Sequence, residues 1–243
     1  MKLFGDFHTH SVFSKFHHGK NTIHENVSAA KEKGLKSYGI TDHGPKHFLY
    51  GITKKNLKRA RHIVDELNSI DNNIKIYLGV EANILSKTGK IDLSDEQIKL
   101  LDYIVMGYHK GTFTNFVGYL FARNTEKQIQ KNTDAYINAI KKYKIAFISH
   151  PNCYIKVDTL RLAKACEETN TLIEINNRHF KFTDEEMKEM IQKTNVKFIV
   201  SSDAHRAIRI GEVGNAIDMV KKHNIPLDRV VNINNEYIPK ACN

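Results

Sequence analysis

About seven short apolar runs, each followed by an amphipathic helical stretch, constrain this chain more than any other feature. Strands are expected over residues 3–8, 36–41, 74–80, 103–108, 145–149, 172–176 and 196–201, with a weak last strand at 229–233. Helices are expected over 22–33, 53–70, 94–100, 125–143, 158–169, 183–194 and 211–223. Gly34 stands where the first helix should stop. Ser94 with Gln97, and Thr183 with Glu186, have the spacing of capping boxes. Runs such as Phe198-Ile199-Val200 suit strands buried on both faces, as in parallel sheets.

Repeated βα units in 243 residues leave two architectures, a barrel or a doubly wound sheet. The polar residues that end the apolar runs discriminate between them. The first run closes on Asp6-Phe7-His8-Thr9-His10, and later ones reach His43, Glu81, His109, His150, then Asp203 with His205. An open sheet gathers its site at one switch point. A closed barrel brings the C-terminal ends of all its strands around one mouth. The distribution therefore predicts an α/β barrel, TIM-like, as a single domain over residues 1–243.

Composition narrows the class. Hydrophobic residues make up 41% and aromatic ones 9%, with no Trp, as in an ordinary water-soluble globule. No apolar h-region opens the chain and no run approaches ~18 apolar residues, so neither a secretory signal nor a membrane span is expected. Cys153, Cys166 and Cys242 are too few and too scattered for a disulfide framework or a CxxC zinc site, and a cytoplasmic location fits. The formal charge of +10 favours anionic ligands such as phosphate esters. The lysines are dispersed without an interleaved aromatic stripe, so nucleic acid is not the favoured partner.

The 13 histidines outnumber Phe (12) and Tyr (10). In an extended segment His8 and His10 face one way, with Cα atoms roughly 6.5–7 Å apart, and can close on one ion. Asp203 and His205 repeat that spacing. His43 sits where Gly44-Pro45 turns the chain. His109 and His150 repeat the design, and Glu81 adds a carboxylate able to bridge two ions. A donor set of His, Glu and Asp without Cys suits Zn, Mn, Fe or Co. So many candidates exceed one tetrahedral ion, which predicts two or three.

These residues lie in seven ordered motifs: Asp6-Phe7-His8-Thr9-His10, Ile40-Thr41-Asp42-His43-Gly44-Pro45, Gly79-Val80-Glu81-Ala82-Asn83-Ile84, Gly107-Tyr108-His109, Ile148-Ser149-His150-Pro151, Glu174-Ile175-Asn176-Asn177 and Ser202-Asp203-Ala204-His205. Over almost its whole length the chain thereby resembles the PHP (polymerase and histidinol phosphatase) superfamily, nearest to its stand-alone YcdX-like phosphatase branch. The resemblance implies a distorted (β/α)7 barrel and three divalent metal ions, Zn, Mn or Fe. It implies that His8, His10, Glu81 and Asp203 hold one ion, and that Glu81 shares a second with His109 and His150. A third would sit with His43, His205 and a histidine of the first loop. That loop departs from the pattern by about two extra residues. Counting back from Asn21-Thr22 indicates His18, whereas counting forward from His10 points nearer His17; His18 is taken as the ligand.

The activity implied is hydrolysis of small phosphomonoesters, histidinol phosphate among them, by a metal-bridging hydroxide. Asp203, Glu81 and His205 would be the catalytic groups, with Asp203 or a nearby His moving the proton and Arg178 meeting the substrate phosphate. The alternative is a phosphodiesterase or nuclease acting on nucleic acid ends; a metal-stabilised interaction module is a third reading. Lys110 and Arg206 are further candidates for phosphate contact, and Asp6 for orienting a ligand. His24, His47, His62, His179 and His223 read as helix or loop residues, and Cys153 as a packed thiol. Specificity is expected in loops 47–52 and 110–123. Oligomeric state is not legible.

Overall fold

A computed structural model describes residues 1–112 and 125–242. Loop positions 113–123, expected to shape specificity, lie outside the described residues. Seven strands form one sheet: β1 (Gly5–Asp6), β2 (Ser37–Ile40), β3 (Lys75–Asn83), β4 (Tyr103–Gly107), β5 (Phe147–Ile148), β6 (Leu172–Asn176) and β7 (Phe198–Ser201). Their spatial order is their sequence order and every pairing is parallel. The helices are α1 (Ile23–Glu32), α2 (Lys54–Ile70), α3 (Asp95–Ile98), α4 (Glu126–Lys142), α5 (Thr159–Thr169), α6 (Asp184–Lys193) and α7 (Gly214–Lys222). Capping boxes start α3 at Ser94/Gln97 and α6 at Thr183/Glu186, and a third starts α1 at Thr22/Glu25.

The sheet curls until its edges meet. Thr9 bridges Ala204, and the His10 amide donates to the Ala204 carbonyl at 2.8 Å. The architecture is the expected seven-stranded TIM-like barrel, distorted because the β1–β7 seam has only this bridge. Side chains complete the seam. Asn232 donates from Nδ2 to the carbonyls of Gly5 (2.9 Å) and Val200 (2.7 Å) and accepts from the Val200 amide (3.1 Å). Asp6 accepts from the amides of Ser202 and Gly211. The last strand expected at 229–233 is therefore not a strand. Residues there form a 3-10 turn and two isolated bridges, Leu3 to Ile233 and Phe198 to Val230, because a side-chain amide rather than a ladder meets the seam. The last helix likewise begins at Gly214, after a separate 3-10 turn at Ala207–Arg209.

Two apolar layers hold this shape. The larger lies between strands and helices, with Ile40, Leu78, Met106, Ile148, Ile175 and Val200 facing Val27, Leu57, Ala135, Leu162 and Met187. The smaller joins Phe7, Tyr103, Val105, Phe147, Leu172 and Ile199. These come from strands all round the sheet, which only a shared barrel interior allows. Tyr103 crosses that interior and donates to the Phe7 carbonyl at 2.8 Å. It passes so close to β2 that a Cβ on Gly39 would stand 2.1 Å from its hydroxyl oxygen. This plug floors the barrel, leaving polar side chains to fill the C-terminal mouth.

Candidate metal centre

Glu81 is the hub of that mouth. Strand β3 runs three residues past its expected end, so Glu81 lies within the strand and is fully buried. Its Oε1 is 2.9 Å from His150 Nε2, 3.0 Å from His109 Nε2 and 3.3 Å from His8 Nε2. Its Oε2 is 3.0 Å from His43 Nδ1 and 3.8 Å from His10 Nε2. Asp203 Oδ1 stands 3.4 Å from His10 Nε2 and 3.9 Å from His8 Nε2. His205 Nε2 and His18 Nε2 are 2.7 Å apart on the outer side. All nine expected ligands are thus brought to one place.

Tautomers follow from the outer partners. Asn83 Nδ2 donates to Asp92 Oδ2, so its Oδ1 faces His109 and accepts from Nδ1 at 2.8 Å. His8 Nδ1 donates to Glu174 Oε1 at 2.6 Å. In their neutral forms both rings then turn an Nε2 lone pair towards the Glu81 carboxylate; without a cation, burial would lower the His8 pKa, but Glu174, Glu81 and Asp203 together raise it well above the ordinary value. Lone pairs facing an anion at 3.0–3.3 Å repel unless a cation lies between them. Donors sharing one ion at about 2.0–2.1 Å stand roughly 2.9–3.5 Å apart, the range seen here. His8 Nε2, both His10 nitrogens, His43 Nδ1 and Glu81 Oε2 are buried with no hydrogen-bond partner. Such orphans converging at one point are donors that could hold metal ions.

Four triads have ligand atoms close enough to share an ion: His8/His10/Asp203, His8/Glu81/His150, His43/Glu81/His109 and His10/His43/His205. They overlap the three expected groups, but His8 and His43 each join a Glu81 triad as well. Burial alone would push the Glu81 carboxyl up, but His109, His8 and His43 together hold it well below the usual carboxylate range. Asp203 is likewise held low against burial, by His8 and His10 foremost. Burial lowers His18 to about 3, helped by His205 and His43, and lowers His109 and His205 to about 4. These three rings are kept in the neutral form that binds metal.

Local backbone serves the site. His150 (φ 27°) and Asp203 (φ 53°) adopt left-handed conformations that cost non-glycine residues energy, and both are candidate ligands. Phe16 and His17 do the same in the first loop, which leaves His17 exposed and swings His18 against His205. The His18 ring stacks on Tyr50 at 3.8 Å. Arg178 Nη1 lies 2.7 Å from His205 Nδ1 and donates to the Asp203 carbonyl at 3.1 Å, at the rim where substrate would enter. Asp6 orients the chain before Asp203 through Ser202 rather than touching a ligand ring.

Some residues escaped the sequence reading. Glu174 is the main one: besides His8, it accepts from the His150 amide at 2.6 Å, from Asn176 at 2.9 Å and from the Ser201 hydroxyl. Only its place in a quoted motif hinted at this. Asn83 and Asp42 act similarly, Asp42 tying Ser11 and Ser14, in the loop that carries His18, to the segment that carries His43. His47 and His179, read as loop residues, reach the rim: His47 stacks on His43 at 5.0 Å, and His179 Nε2 is 3.8 Å from Asp203 Oδ2. A chamber of about 230 Å³ opens here, lined by the cluster with Tyr154, Arg178 and His179. Lys110 lies over the Tyr154 ring at 5.9 Å. Among the described residues no helix is long and apolar enough to cross a membrane.

Fold and site together define a parallel α/β barrel that gathers a carboxylate-centred histidine cluster at the C-terminal ends of its strands. The chain belongs to the PHP domain family, which matches residues 6–199. A protein of Thermoanaerobacter sp. (strain X514) named a probable phosphatase is 33% identical, over 96% of this chain and 91% of its own. Another so named, from Caldanaerobacter subterraneus subsp. tengcongensis, is 32% identical, over 96% and 88%. Among solved structures, the fold is shared with histidinol phosphate phosphatase from Lactococcus lactis, complexed with zinc, L-histidinol and phosphate. That match has a TM-score of 0.64 at 17% identity, over 93% of this chain and 95% of that one.

Proposed function

We propose that this protein is a metal-dependent phosphatase that hydrolyses small phosphomonoesters. One observation carries the reading: His8 Nε2, both His10 nitrogens, His43 Nδ1 and Glu81 Oε2 meet in one buried cluster with no hydrogen-bond partner, an arrangement that calls for cations. The names of its relatives and the zinc and phosphate of the Lactococcus structure support it. The nine ligands suffice for three ions, of which Zn, Mn and Fe suit the donors. Bound there, such ions neutralise phosphoryl charge and supply hydroxide near neutral pH.

The chain's own residues supply the rest. Glu81 and Asp203 bring the negative charge that retains the ions, and Glu174 and Asn83 fix the imidazole tautomers. Arg178 offers its guanidinium to the phosphoryl oxygens at the chamber mouth. Asp203 and His205, beside it, hold or pass the proton. No Ser or Cys nucleophile is required. Apart from His18 in the first loop, the ligands lie in or just after the strands of one sheet, which supports a single domain over 1–243. Three unpaired cysteines suit a reducing compartment such as the cytoplasm.

The test is metal content by elemental analysis, with p-nitrophenyl phosphate hydrolysis before and after chelation. Chelator should abolish turnover and added metal restore it. Metal-free protein that still hydrolyses the ester would overturn the reading. Digestion of labelled single-stranded DNA in parallel tests the nuclease alternative.

A further inference from the structure

The metal chamber opens into a larger cleft. The cleft has a volume of about 950 Å³ and shares Arg178, Asp203 and His205 with the chamber of about 230 Å³. Its far wall is the segment after the last ligand: Arg206, the 3-10 turn Ala207–Arg209, Glu212 and Asn215. The small chamber suits a phosphoryl group, and the cleft falls in the size range of sites for whole metabolites. A substrate cleaved at the chamber would lay its leaving alcohol there.

The charges of the cleft are lopsided. Three guanidiniums line it, Arg178, Arg206 and Arg209, against two carboxylates. Asp203 belongs to the metal cluster, and Glu212 is taken by Arg209 at 2.7 Å. Among the described residues the Arg178 guanidinium meets the Asp203 carbonyl and the His205 ring, and Arg206 makes no ion pair. Two guanidiniums of the cleft therefore lack a carboxylate partner: Arg178, at the chamber mouth, serves the reacting phosphoryl group, and Arg206 faces the leaving group. Among the described residues Ile208 is the only exposed large apolar side chain that lines this cleft.

We infer that the leaving alcohol carries a second anionic group, a phosphate or carboxylate, recognised by Arg206. The inference rests on the phosphatase reading for its orientation. It runs against an amino alcohol as leaving group, because an ammonium would meet guanidiniums of like charge. Arg206 would thus determine specificity without touching the reacting phosphorus.

Thermal-shift titration of zinc-loaded protein with glucose 6-phosphate, glucose 1,6-bisphosphate and phosphoethanolamine tests this. Phosphate release from each, and from p-nitrophenyl phosphate, is measured in parallel. The bisphosphate should bind about tenfold tighter than the monophosphate, a difference of about 1.4 kcal/mol, with phosphoethanolamine weakest. Arg206→Glu should bring the bisphosphate-to-monophosphate ratio to about one, and Arg206→Lys should retain part of it. Arg206 is exposed, so both variants should fold. Equal binding of the two sugar phosphates, or a ratio unmoved by Arg206→Glu, overturns the inference. Absence of phosphate release from any ester would instead overturn the phosphatase reading, while the binding ratio still judges the cleft.

Discussion

Replacing Glu174 by Gln should empty part of the metal centre without unfolding the barrel. Glu174 is buried, and every partner of its carboxylate donates: His8 Nδ1 and the Ser201 hydroxyl to Oε1, the His150 amide and Asn176 Nδ2 to Oε2. A glutamine keeps one oxygen and turns the other into a donor. With the NH2 at Oε2, two donors face a donor, and a buried orphan costs about 1–3 kcal/mol. With the NH2 at Oε1, Ser201 can rotate, but His8 must move its proton to Nε2. That nitrogen faces Glu81 at 3.3 Å, and protonated it binds no ion. Either outcome leads to the same expectation. Affinity for at least one ion should fall about 10–100-fold, the usual effect of losing an outer partner, and kcat/KM should fall with it. The Tm of the metal-free form should fall by roughly 2–10 °C. Metal content at buffered free zinc, phosphatase kinetics and calorimetry read the three effects. A variant that binds zinc and turns over like the parent would refute the tautomer argument.

Three further outcomes are expected. His18→Ala should weaken one ion at least tenfold in metal titrations, whereas His17→Ala should not, since only His18 meets His205; the reverse result would reassign the first-loop ligand. Asn232→Ala strands three buried main-chain groups at the β1–β7 seam and should cost about 3 kcal/mol in urea unfolding. A loss under about 0.5 kcal/mol would show that the seam closes without it. In the metal-free protein, burial and neighbouring imidazoles hold His18 and His47 at about 3, against an ordinary value of 6.5. Between those values the unfolded chain binds protons that the folded one refuses, so stability should fall as pH drops from about 6.5 towards 3. Denaturant midpoints that stay flat across this window would contradict the burial of these rings.

Much of the barrel was legible because strands buried on both faces read as apolar runs, and because caps are local: Ser94/Gln97 and Thr183/Glu186 act as their spacing indicates. The end of the chain was misread for the opposite reason. Residues 229–233 have strand-like composition, but their role depends on Asn232 meeting Gly5 and Val200 from far along the sequence. Glu174 was overlooked likewise. Nothing in its neighbours says that its carboxylate accepts hydrogen bonds from residues on three other segments.

Residue type and local order by themselves determined that alternating strands and helices build a parallel barrel, and that His, Glu and Asp end its strands. Both follow from patterns spanning a few residues. Only the tertiary structure decided which histidine of the first loop turns inward, which nitrogen of each ring faces Glu81, and that the cleft beyond His205 is lined by unneutralised arginines. Those depend on left-handed turns at Phe16 and His17, on hydrogen bonds accepted by Asn83 and Glu174, and on ion pairing between Arg209 and Glu212. The hydrogen bonds join segments that the chain keeps apart, and the local turns and ion pair take their direction from the surfaces they pack against.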